Sequence, residues 1–80
     1  MARIIEPGPC NITGERIKQA RVKAGLSQEA LSAKLELLAV YVCRGSVSRI
    51  ETGERTVSDI EIDAISSVLN IPLDELFGRK

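Results

Sequence analysis

A chain of 80 residues supports one domain and no more, because a polymer this short buries only about 60% of its unfolded surface and cannot divide that core in two. It holds two cysteines, Cys10 and Cys43, and no histidine, which excludes a Cys/His zinc site and His-dependent catalysis, so neither a metal, nor a cofactor, nor an enzymatic activity is expected. Eleven Lys/Arg cancel eleven Asp/Glu, yet residues 1–55 carry nine basic against six acidic side chains and residues 56–80 two against five, so the field is dipolar.

Residues 1–13 read as an arm, in which R-I-I-E-P-G-P-C-N brings two prolines and a glycine together and forbids a helix. Either it moves freely or Ile4 and Ile5 pack on the domain. Met1 to Gly8 lacks the continuous apolar core of a signal peptide, and no apolar run approaches the ~18 residues that span a bilayer. With two widely separated cysteines, this points to a reducing, cytoplasmic setting and no membrane partner.

Thr13 is placed to cap a first helix, G-E-R-I-K-Q-A-R-V-K-A-G, with Glu15 in its first turn, Gly25 as its C′ residue and Ile17, Ala20 and Ala24 on its buried face. Ser27 caps a second, Q-E-A-L-S-A-K-L-E-L-L, where Leu31, Leu35 and Leu38 recur at helical spacing. The following A-V-Y-V-C has no polar residue and two β-branched ones, which predicts a buried, extended connection. A third short helix runs from Arg44 to Thr52 and ends at Gly53. Ser58 and Glu61 form a capping box for a fourth helix, whose Ile60, Ala64, Ile65, Val68 and Leu69 make the apolar stripe and which Asn70 ends. Pro72 suits the first turn of a fifth, P-L-D-E-L-F, with Leu73, Leu76 and Phe77. The result is an all-α globule of five short helices without internal repeats. Tyr41 and Phe77 are its only aromatics, which argues against single-stranded nucleic-acid binding on stacking platforms.

In their order and spacing, G-E-R-I-K-Q-A-R-V-K-A-G-L-S-Q-E-A-L, then V-S-R-I-E-T-G-E-R, then L-N-I-P-L-D-E-L-F make the chain resemble the helix-turn-helix repressors of the Cro and phage-repressor type, the Xre-like family. The resemblance runs from about Gly14 to Phe77. It implies a lambda-repressor-like five-helix domain over residues 14–78, in which the second and third helices form the motif and the third enters the major groove of double-stranded DNA.

Carried over position by position, the resemblance puts Arg44, Gly45, Ser46 and Arg49 where the family reads base edges, while Val47 and Ile50 point into the core. Arginine can pair two donors with O6 and N7 of guanine, and Arg44 and Arg49 lie near enough to share one groove-facing side. Ser46 either caps the helix or donates to a phosphate. At Gly45 either the backbone approaches DNA closely or the helix starts later. Gln28 falls where the family touches a phosphate and braces the recognition helix. Glu51 falls where the family pairs a glutamate with an arginine of the first helix, here Arg21. Glu54 replaces the usual basic residue, which leaves Arg55, Lys18 and Lys23 as further phosphate contacts. Two departures stand out: Ser32 and Glu36 replace the family's Ala and Gly, and Leu37 to Tyr41 add about five residues before the recognition helix. The helix dipole and Arg44 favour a Cys43 thiolate, but a small, half-buried capping substitute is the preferred reading.

The resulting expectation is a sequence-specific DNA-binding transcriptional regulator, read as a repressor, that acts as a two-fold dimer through Leu73 and Phe77 with the linker around Thr56 and Val57. The alternative is a protein-interaction module, antitoxin-like or an adaptor, that engages a protein partner through the acidic D-I-E-I-D and D-E-L-F segments or the apolar elbow at 37–42. The arm, with Arg3, either reaches a minor groove or folds on the body.

Overall fold

A computed structural model describes residues 9–79. They form α1 (Gly14–Lys23), α2 (Gln28–Glu36), α3 (Arg44–Thr52), α4 (Asp59–Leu69) and α5 (Leu73–Leu76). No strand occurs among the described residues. The readings of Arg3, Ile4 and Ile5 lie outside them.

Local chemistry sets most helix ends. Ser27 Oγ accepts from the Ala30 amide at 3.0 Å and starts α2. At α4 the capping box is reciprocal: the Glu61 amide donates to Ser58 Oγ at 3.2 Å and the Ser58 amide to Glu61 Oε1 at 3.0 Å. Gly53 ends α3 at φ 82° and Asn70 ends α4 at φ 54°, the left-handed cap that glycine and asparagine adopt most easily. α1 departs from expectation. Thr13 precedes it but is buried and makes no side-chain cap, because its helical backbone turns the hydroxyl away from the free amides. Asn11 caps instead, its Oδ1 accepting from the amides of Thr13 at 3.0 Å and Gly14 at 2.7 Å. α5 is a single turn, with Pro72 in extended backbone before it and not within it.

The core is aliphatic. Ile17 of α1, Leu31 and Leu35 of α2, Val42, Val47 and Ile50 around α3, Ile62, Ala64, Ile65 and Leu69 of α4, and Leu76 of α5 are all buried together. Three expected core positions are not in it. Ala24 is exposed beyond the end of α1. Leu38 is half-exposed because α2 stops at Glu36: the amides of Leu38 and Val40 both return to the Leu35 carbonyl, and Ala39 takes a left-handed φ of 61°. Ile60 is 69% exposed and Ile62 takes its place, since the stripe 62, 65, 69 follows the three–four spacing of one helical face and Ile60 lies on the other side.

The connection to α3 is extended, as expected, but only alternate residues are covered. Val40 is half-buried, Tyr41 is 74% exposed and Val42 is buried, while Leu37 points to solvent. Ser32 Oγ donates to the Val42 carbonyl at 2.7 Å, which fixes the elbow to α2. α3 therefore begins at a defined place although its link is longer than a tight turn.

Candidate nucleic-acid interface

α3 is packed on one side and open on the other. Val47 and Ile50 bury themselves three residues apart, which leaves Arg49 on the opposite face, and Arg44, the first residue of the helix, is exposed at its open end. Gly45, Ser46 and Arg49 share one strip of surface. The Arg49 guanidinium donates from Nη2 to Ser46 Oγ at 3.4 Å, and its Nη1 lies 3.6 Å from where a side chain on Gly45 would begin. A Cβ at Gly45 would stand in ordinary van der Waals contact with the Arg49 guanidinium, which lies back along the helix. The first turn of α3 contains no acidic side chain, so nothing on it offsets the positive end of the helix dipole.

Cys43 occupies the N-cap position in extended backbone without capping through its side chain. It is exposed, contrary to the half-buried placement expected. Its thiol lies 3.4 Å from Ser46 Oγ, and hydrogen bonds from the Ser46 hydroxyl and amide lower its pKa by favouring the thiolate. The side chain of Ser46 therefore meets both Cys43 and Arg49.

Behind α3 the bracing is ionic. Glu51, buried, accepts from Arg21 Nε at 2.6 Å, Arg21 Nη2 at 3.1 Å and Gln28 Nε2 at 3.0 Å, while Arg21 Nη1 donates to the Leu26 carbonyl at 2.7 Å. One carboxylate so ties α3 to α1 and to the first residue of α2. The fork geometry of arginine makes the tie directional.

The remaining candidates fall elsewhere. Arg55 forms a two-pronged pair with Glu61, Nη1 to Oε1 at 3.0 Å and Nη2 to Oε2 at 2.9 Å, and also donates to its neighbour's carbonyl on Thr56 at 2.9 Å. The bonds between Arg55 and Glu61 raise the Arg55 pKa and, by stabilising the carboxylate, lower that of Glu61. A phosphate contact from Arg55 requires it to give up part of that pair. Lys18 and Lys23 border a shallow depression with Glu15, Gln19 and Val22, whereas the buried residues of α1 are Gly14, Ile17 and Arg21. Leu73 and Phe77 stand a turn apart with 41% and 38% exposure; Val57 is half-buried against the core. Among the described residues no cluster of side chains suits a metal ion, and no helix is long and apolar enough to cross a membrane.

Residues 17–76 match the helix-turn-helix family model. The chain belongs to the helix-turn-helix family. Over 66 residues it is 40% identical to Control protein C.MunI from Mycoplasma sp., a match that covers 81% of this chain and 82% of that protein. The crystal structure of the restriction-modification controller protein C.AhdI from Aeromonas hydrophila is similar with a TM-score of 0.71 at 34% identity, covering 81% of this chain and 87% of the other. The five-helix, Xre-like architecture is thereby established, and the helix-turn-helix protein is a DNA-binding transcription regulator of a non-enzymatic family.

Sequence reasoning missed two residues of this helix-turn-helix protein that act on α3 from outside it. Asn11 caps α1 and also donates to the Ile50 and Arg55 carbonyls at 3.1 and 2.7 Å. An Asn three residues before the helix's first glycine is a usable capping signal, but its second pair of bonds spans more than thirty-five positions and leaves no local trace. Ser32 looked only like a departure from the family's alanine, yet its hydroxyl fixes the elbow.

Proposed function

We propose that the protein controls restriction-modification genes by binding duplex DNA as a two-fold dimer, with α3 of each protomer in the major groove. Arg44 and Arg49 read base edges beside Gly45 and Ser46. Gln28 contacts a phosphate from the start of α2, and Lys18 and Lys23 add long-range attraction for the backbone. What carries this reading is that α3 exposes Arg44 in an acid-free first turn and Arg49 in its last turn, with a buried ionic brace behind them. Exposed arginines alone are common, but a helix fixed from behind can hold their guanidiniums at the geometry that O6 and N7 of guanine require.

One such helix reaches too few base pairs to select a site, so two copies are needed, and Leu73, Phe77 and part of Val57 supply the apolar face for pairing. The half-sites then lie about 34 Å apart. The restriction-modification controller protein it resembles supports restriction-modification genes as the target.

Selection from random duplex DNA at a stated salt concentration tests this. The wild type should recover a palindrome with half-sites roughly ten base pairs apart, and Arg44→Ala with Arg49→Ala should recover none. The same palindrome should lie before restriction-modification genes and change their transcription when the protein is supplied. No enrichment by the wild type would contradict the reading.

A further inference from the structure

The last turn of α3 leaves carbonyls without helical partners, as every helix end does. Here they are met by the chain before α1. The Ile50 carbonyl receives Asn11 Nδ2 at 3.1 Å in addition to the Gly53 amide at 3.1 Å, and the Gly53 carbonyl receives the Cys10 amide at 2.8 Å. Asn11 Nδ2 also donates to the Arg55 carbonyl at 2.7 Å, while its Oδ1 accepts from the amides of Thr13 and Gly14. Both donors and both acceptor sites of the carboxamide are thus engaged. Turning the group over would set donors against amides and an acceptor against two carbonyls, so only one orientation fits. Gly14 completes the seat. A Cβ there would collide with the Ile50 carbonyl oxygen, so the start of α1 rests directly on the end of α3.

We infer that Asn11 is a positioning residue for DNA recognition: it seats the C-terminal end of α3 against the start of α1 and so sets the tilt at which Arg44, at the far end, meets the groove. The inference rests on the proposed DNA reading. A nine-residue helix is about 13 Å long, so a tilt of about 5° displaces its far end by roughly 1 Å. Bidentate pairing with a base does not survive much more than that.

Asn11→Asp separates seating from capping. The aspartate keeps the acceptor that caps α1, and its charge suits a helix start, but it has no donor and turns an oxygen toward the Ile50 and Arg55 carbonyls. With the wild type's selected duplex and a random duplex as probes, below the melting transition of each variant, Asn11→Asp should lower the ratio of specific to non-specific affinity by roughly tenfold. Its salt slope should match the wild type's, since phosphate contacts are untouched. Asn11→Ala, which loses cap and seat, should lose the same ratio and also melt earlier. If Asn11→Asp weakens both duplexes equally, the added charge alone is responsible and the inference is wrong. A wild type with no preferred duplex would instead overturn the DNA reading itself.

Discussion

Replacing Glu51 by glutamine keeps the side chain's shape and removes one negative charge from beneath α3. In the wild type that carboxylate accepts three hydrogen bonds, two from Arg21 and one from Gln28, and the two ionic side chains are only 10% and 2% exposed. The variant leaves the Arg21 guanidinium buried with no countercharge and turns an amide N–H toward its donors. Removing one partner of a buried pair costs about 3–5 kcal/mol, chiefly the penalty of the stranded charge. A domain of this length has in total roughly 4–12 kcal/mol of stability, so about a quarter or more of it should vanish. Urea unfolding should show the loss as a lower midpoint at an unchanged slope, and the melting temperature should fall by more than about 12 °C. Arg21→Met combined with Glu51→Leu, which strands no charge, should recover most of the loss. A Glu51→Gln cost under about 1 kcal/mol would refute the reasoning, for the pair would then behave as a solvent-screened surface contact. A double variant as unstable as the single one would place the value of the pair in its attraction and not in the stranded charge.

The Arg55–Glu61 pair sets an acid dependence. Because the Glu61 pKa is lowered on folding, its contribution is complete above the unfolded glutamate value of about 4.3 and is lost as pH falls through the lower folded value. The stability difference between wild type and Glu61→Gln, followed by chemical unfolding, should shrink toward zero as the pH falls through that lowered folded value. Gly45→Ala adds a methyl only in ordinary contact with Arg49, so the free protein should gain about 0.5–1 kcal/mol from helix propensity; specific DNA affinity should fall, as anisotropy titration would record, because the methyl stands between α3 and the groove. Ala39→Gly relieves a left-handed alanine and should leave stability unchanged or raise it by up to about 1 kcal/mol in thermal melts, the strain relieved being partly offset by a freer unfolded chain.

What could be read from sequence was what is decided within a few residues. Ser27, Ser58 with Glu61, Gly53 and Asn70 each act on amides or backbone angles three or four positions away, and each stands where expected. Thr13 misled because a capping residue type was in the right place with the wrong backbone, and the cap came from Asn11. Ile60 and Ile62 flank one glutamate, and a pattern with apolar residues at both positions has no definite phase until α4 packs. Glu61 was legible as half of a capping box, but its grip on Arg55 was not, so Arg55 looked free for DNA. The surface of α3 was legible through Arg44 and Arg49, whereas the seat built by Asn11 and Gly14 depends on contacts between the two ends of the motif that no spacing encodes.

The central claim is that α3 reads bases, and its most direct test is loss of contact at Arg44. The affinities of the wild type and Arg44→Ala would be measured at one salt concentration on the selected duplex and on duplexes altered one base pair at a time. The account predicts that the wild type discriminates by about 1–3 kcal/mol at one guanine in each half-site, and that Arg44→Ala becomes indifferent at that pair while keeping its preferences elsewhere. An Arg44→Ala protein that binds every duplex more weakly by one common factor, with all preferences intact, would make Arg44 a phosphate contact and contradict the account.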